Sequence, residues 1–230
     1  MLVRGCGGKN IQVNACISIL FLLTVTAFGQ VAGIGGEDAS PIPWRPFQMQ
    51  FPSVAPPPTV PKEMVNHLVV ANWPITLETT KLTDVQRQFG GLLGTSGDAG
   101  DSLGWVCLYR RSASDGWVLW LTSGEINGES IGGFVWRRMS SEQKIDYRCK
   151  AVGTEQGIVT SPIPLRLGMT KSQVEHLLGK PSGIFHDTFM YDHEHDGTIR
   201  GTPYTWDNSI DIVYRNGAVW AIHASLTISS

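Results

Sequence analysis

The densest run of chemistry-bearing side chains is "FHDTFMYDHEHDG", Phe185 to Gly197, which holds His186, Asp187, Asp192, His193, Glu194, His195 and Asp196. Imidazoles and carboxylates together suit zinc or another transition metal. Residues two apart on a strand share a face, so an extended conformation would turn His193 and His195 the same way, as two ligands must be. His186, His193 and His195 are therefore the candidate metal-ligating set. A hydrolase centred on the same His186–Asp196 cluster is the enzymatic form of that alternative. Against both, the cluster runs into Gly197 and stands where a strand-to-strand connection is expected, and solvated loop residues are the default there.

The other chemical motifs fail on spacing. "LGMTKSQVEHLLGKPSG", Leu167 to Gly183, contains a Gly-Lys pair and a serine. A phosphate-gripping loop needs a glycine five residues before that pair, where Val174 stands, and Ser or Thr directly after the lysine, where Pro181 stands. Ser123-Gly124 and Ser182-Gly183 lack the Gly-x-Ser-x-Gly elbow, and no cysteine has a base beside it. No catalytic residue and no cofactor follow from these patterns, and the expectation is a non-enzymatic protein.

What positions these side chains is legible in the same stretch. Thr170 is placed as a helix N-cap, and Gln173 three residues later completes a capping box. Val174, Leu177 and Leu178 form one apolar stripe, Gly179 suits the left-handed stop, and Pro181 prevents continuation. A degraded copy lies upstream. "ITLETTKLTDVQRQFGG" (Ile75 to Gly91) aligns with "PLRLGMTKSQVEHLLGK" (Pro164 to Lys180), matching Val85 to Val174, Phe89 to Leu178 and Gly90 to Gly179.

Both copies run into β-branched and aromatic segments: "WVCLYRR", "WVLWLT" and "GGFVWRRM" in the first, "IFHDTFMY", "TPYTW", "SIDIVYR" and "AVWAIHASL" in the second. Asp115-Gly116 and Asn216-Gly217 are candidate tight hairpin turns. The expected fold class is thus α+β: two tandem repeats, each a short helical segment packed on a small antiparallel β-sheet.

"LRLGMTKSQVEHLLGKPS", followed by a small sheet ending in "DIVYRNGAVWAI", resembles the SmpA/OmlA (BamE-like) envelope domain over about Pro164 to Ile228. The tandem layout is similar to that of the β-lactamase inhibitor protein (BLIP-like) superfamily. The first copy has Thr79 and Thr80 where Gly168 and Met169 stand in the second. The resemblance implies a non-catalytic role: binding another envelope or secreted protein, as an outer-membrane assembly accessory or an inhibitor-like protein.

Arg4 and Lys9 precede an uncharged apolar run, Ala15 to Phe28, followed by small residues, which describes a secretory signal peptide over residues 1–29. Residues 30–62 read as a proline-rich linker, residues 63–150 as the first, divergent unit, and 151–230 as the second. The expected location is exported: periplasmic, outer-membrane-associated or secreted, with any membrane association only peripheral. Removing the signal leaves Cys107 and Cys149, and two cysteines in an oxidising compartment are most simply one disulfide. A net charge of −2 gives nucleic acid no electrostatic footprint.

Aromatic residues supply the functional lead. Trp105, Tyr109, Trp120, Trp136, Tyr204, Trp206, Tyr214 and Trp220 are the candidate binding surface, because Trp and Tyr anchor protein interfaces. Trp105 and Tyr109 share a strand face with Cys107, Tyr204 shares one with Trp206, and Trp220 is expected to face the same way as Ile222. Arg110, Arg111, Arg137 and Arg138 flank them. One sheet face must cover the core, so about half of these aromatics are expected to be buried.

Overall fold

The computed structural model describes residues 65–96, 103–112, 114–123, 129–140, 142–153 and 158–229. The expected signal peptide, residues 1–29, and the expected linker, residues 30–62, lie outside the described residues. In chain order the elements are β1 (His67–Val70), β2 (Trp73–Thr76), α1 (Leu82–Phe89), β3 (Gly94–Ser96), β4 (Leu103–Arg110), β5 (Trp117–Ser123) and β6 (Gly133–Arg138). There follow β7 (Lys150–Ala151), β8 (Val159–Ser161), α2 (Lys171–Leu178), β9 (Gly183–Phe185), β10 (Thr188–Ile199), β11 (Thr202–Arg215) and β12 (Ala218–Ser229).

Local chemistry sets α2 as its sequence dictates. The Thr170 side chain accepts a hydrogen bond from the Gln173 N–H, while Gln173 Oε1 accepts from the Thr170 N–H at 2.8 Å. Val174 and Leu178 are buried and Leu177 packs against the same core. Gly179 ends the helix at φ 82°, its N–H bonded to Glu175 O. The upstream copy, α1, has the same eight-residue length and ends on Gly90 at φ 81°. Each helix is entered through an isolated bridge, Lys81 to Ser130 and Thr170 to Ala218.

The α+β expectation is corrected by the strands. They account for 54% of the structure against 11% for helix, in two sheets with only two short helices. There are not two small sheets, one per repeat. The meander β4-β5-β6 and the meander β12-β11-β10 join edge to edge through β6 and β12 into one nine-stranded sheet. Its path runs β3-β4-β5-β6-β12-β11-β10-β9, with β7 parallel beside β4. A second, three-stranded sheet has the order β2-β1-β8. The physical reason is edge pairing: a three-stranded meander leaves a row of unpaired backbone donors and acceptors, and the two rows satisfy one another.

Period-two alternation then sorts side chains between the faces of the large sheet. Leu108, Leu119, Trp136, Ile222, Ile212 and Tyr191 lie on the face that packs against both helices and the small sheet, forming the main core. On the opposite face Trp105, Cys107, Val118, Trp120, Val135 and Met139 form a second, smaller core, with Tyr109, Ile145 and Cys149 packed against it.

Turn chemistry accounts for the hairpins. Asn216 and Gly217 have φ 53° and 75°, the positive pair that a two-residue hairpin turn requires. Asp115-Gly116 instead lies within a longer connection, because Arg110 is the residue paired with Trp117. The tight turn that organises the second meander is Arg200-Gly201, at φ 52° and 86°, between paired Ile199 and Thr202.

Candidate functional site

Four of the eight candidate surface aromatics are buried: Trp105 (1% exposed), Trp120 (2%), Trp136 (4%) and Tyr214 (8%). Tyr109, Tyr204, Trp206 and Trp220 are partly exposed. The sheet face that carries Trp105, Cys107 and Trp120 is covered by the segment around Ile145 to Cys149. The Cys107–Cys149 disulfide fastens it there, and Arg148 lies 4.5 Å over the Trp105 ring. Arg148 is steered by its Nε–Oδ1 hydrogen bond to Asp146 at 2.9 Å, and that contact holds the Asp146 carboxyl below its ordinary range.

Trp220 departs from its expected orientation. The register slips at Val213/Tyr214, so that Val213 opposes Ala221 while Tyr214 opposes Val219, and Trp220 is the extra residue. Instead of facing with Ile222, its ring stacks against Arg137 and Arg215. A ladder results across four strands: Arg137 lies 4.9 Å from Trp120 and 5.5 Å from Trp220, and Arg215 lies 3.5 Å from Trp220. Arg137 is 2% exposed, so aromatic faces take the place of much of its hydration.

The histidine–acid cluster lies in a strand and not in a connection. β10 and β11 pair from Thr188–Val213 to Ile199–Thr202, and β9 covers β10 only as far as Met190. The rest of the hairpin, with β12 still paired to β11 as far as Thr205–Ser229, is an arm whose two faces differ. His193, His195, Tyr204 and Trp206 occupy one face, with centroid spacings of 6.5 Å for His193–His195, 5.8 Å for His195–Trp206 and 6.3 Å for Tyr204–Trp206. Trp206 leans over Gly197, where an added Cβ would stand 2.7 Å from the indole, so glycine is what lets this row close up. Ile199, 40% exposed, extends the row towards the tip. Glu194, Asp196 and Asp207 occupy the other face, with the Thr205 hydroxyl donating to Asp196 at 2.7 Å.

His193 and His195 do share a face, with rings parallel to 3°. His186 does not join them. It sits at φ 52° in the turn between β9 and β10, its ring against Phe185, about 17 Å along the strand from His193 at ordinary strand rise. Among the described residues no group of three His, Cys, Asp or Glu side chains has metal-holding geometry. Burial, and then the charge of His195, pushes the His193 pKa below its ordinary value. Burial, with the charge of Asp192 behind it, raises that of Asp207.

Where the arm meets the core, Phe189 stacks edge-on against Tyr214 at 4.9 Å and Lys171 lies 4.4 Å over Phe189. Burial, reinforced by the Glu175 charge, pushes the Tyr191 phenol up to about 12, and burial also raises Tyr214. A raised folded-state pKa means that the folded protein keeps a proton the unfolded chain has released. The corresponding stability is complete below the ordinary value of 10.0 and is lost as pH rises through the folded values. Phenolate absorbance should therefore show two of the five tyrosines titrating late. The midpoint of urea unfolding should fall progressively above pH 10. Simultaneous titration of all five with the fold intact would contradict this burial.

No protein-family model matches the chain, and comparison with curated proteins and with solved structures gives no significant match either.

Proposed function

We propose that this chain is an exported, non-enzymatic protein-binding module of a bacterial cell envelope, and that the aromatic face of the β10–β11 arm is its recognition surface. The observation that carries the reading is the contiguous row His193, His195, Trp206 and Tyr204 on one side of a hairpin that extends past β9. Aromatic side chains on a rigid strand pair present a large contact area at low entropic cost, the composition of interface hot spots. Two sequence features support export, the basic start and the apolar Ala15–Phe28 run. The bonded Cys107–Cys149 pair suits an oxidising compartment. The resemblance of the capped Thr170–Pro181 segment to SmpA/OmlA domains supports an envelope partner.

The test is capture from an envelope extract with wild type and with Tyr204→Ala/Trp206→Ala. A partner retained by the wild type should bind the variant about 30-fold more weakly, the scale of a two-residue hot spot. Thermal unfolding must first show the variant folded, because Trp206 also packs against the main core. Capture of the same proteins at the same strength by both would overturn the reading.

A further inference from the structure

A second site lies on the core-side face of the sheet, away from the arm. The register sets Arg110 directly opposite Trp117, and Trp117 directly opposite Arg138, so two arginines flank one indole across β4, β5 and β6. Trp136 stands next to this row on the same face. The segment leading into α2 passes above it, held by hydrogen bonds between Gly168 and Met169 and the backbone of Val219. That segment delivers Arg166. Between these parts is a cavity of about 260 Å³, lined by Arg110, Asp115, Trp117, Trp136, Arg138 and Arg166 among others.

Charge and hydrogen bonding in this cavity do not balance internally. Arg110 is paired with Asp115. Arg138 and Arg166, both exposed, have neither a hydrogen bond from their guanidinium groups nor an ion pair among the described residues. Trp117 and Trp136 are 2% and 4% exposed, yet their indole N–H groups have no acceptor among the described residues. A buried donor left unpaired costs about 1–3 kcal/mol, and both of these residues line the cavity. Gly168 contributes to the arrangement. Its φ is 88°, and an added Cβ would stand 2.5 Å from Arg138 Nη2. The glycine of the Leu-Gly-Met-Thr motif thus lets the backbone turn and leaves Arg138 its place at the cavity.

We propose that this cavity binds a small organic carboxylate, its oxyanion held by Arg138 and Arg166 and its apolar body set against Trp117 and Trp136. Guanidinium forks match the two oxygens of a carboxylate. The cavity is slightly smaller than the usual range for drug-sized ligands, about 300–1,000 Å³, which limits the occupant to a short aryl or alkyl acid. The site is independent of the arm and does not rest on the protein-binding reading.

The test is a titration of 3-phenylpropionate into the isotope-labelled protein, followed through the indole N–H resonances. The neutral 3-phenylpropionamide and inorganic phosphate serve as comparison probes. Saturable shifts of the Trp117 and Trp136 resonances with the acid are expected, with the amide at least about tenfold weaker, the usual worth of a charge-assisted hydrogen bond. Arg138→Gln and Arg166→Gln, both at exposed positions, should each weaken the acid about tenfold. Equal affinity for acid and amide, unchanged binding in both variants, or no saturable shift at millimolar acid would overturn the proposal. So would phosphate binding as tightly as the acid, since that would remove any role for the apolar wall. The amide comparison uses the unaltered protein, so it decides the matter even if a variant fails to fold.

Discussion

Replacing Cys149 by alanine is expected to lower the free energy of unfolding by about 4 kcal/mol, the chain-entropy value for a closed loop of this length. The bridged residues are 42 positions apart. The bond does more than shorten a loop, because it is the fastening of the segment that covers Trp105 and Trp120. Without it, Ile145 and Cys149 no longer pack on the second core, and Arg148 loses its fixed place over Trp105. The variant, or the wild type under reductant, should show a lower urea midpoint and increased binding of a hydrophobic dye. The main core lies on the other face of the large sheet and keeps both helices and the small sheet, so far-ultraviolet dichroism should retain its strand signature at low denaturant. A loss below about 1 kcal/mol, within the range of ordinary surface substitutions, would mean that the segment stays in place without its bond.

Trp120→Ala is the side-chain substitution with the largest expected cost, about 3–5 kcal/mol, as for other buried large aromatics. Trp120 is 2% exposed and lies at the centre of the second core. Its removal leaves a cavity and also takes one aromatic face from Arg137, which is buried between Trp120 and Trp220. Trp120→Phe keeps a ring under the guanidinium and should cost clearly less. Tyr147→Ala, at a side chain 86% exposed, should change stability by less than about 0.5 kcal/mol and serves as the control. Equal costs for Trp120→Ala and Tyr147→Ala by chemical denaturation would contradict the existence of a second core.

Local features were legible in the sequence, because the residues that make them also touch one another. Thr170, Gln173 and Gly179 bound α2 through contacts spanning three or four residues. Asn216-Gly217 encodes its own turn. The Cys107–Cys149 pairing follows once Cys6 and Cys16 are set aside as part of an expected signal peptide. Non-local choices were not legible. Nothing in "GGFVWRRM" or "AVWAIHASL" says that β6 and β12 will find one another, and that pairing is what turns two expected sheets into one. The cover over Trp105 and Trp120 comes from a segment with little periodicity, so face counting alone does not show which aromatics it buries. The His193–Asp196 run reads as a connection from sequence because it runs into Gly197 and stands where a link between strands is expected. It is a strand because β11 pairs with it residue for residue, and Arg200-Gly201 is the turn signal that marks the hairpin. The arginines of the cavity are far apart in sequence, and only the register Arg110–Trp117–Arg138 brings them round one indole.

The junction between β6 and β12 also dictates how this protein reaches its fold. Arg137 and Ala221 are roughly eighty positions apart, yet their strands lie at the centre of the large sheet. Each meander can form early from hairpin contacts, but each then waits with an unsatisfied strand edge until the other arrives. Closing so long a loop comes before its reward in hydrogen bonds and buried area, which places the chain among slow, topology-limited folders. The half-assembled state exposes two edges able to pair with the wrong copy as readily as with the right one. Refolding yield should therefore fall with protein concentration, and aggregation should compete at the step where β12 docks on β6.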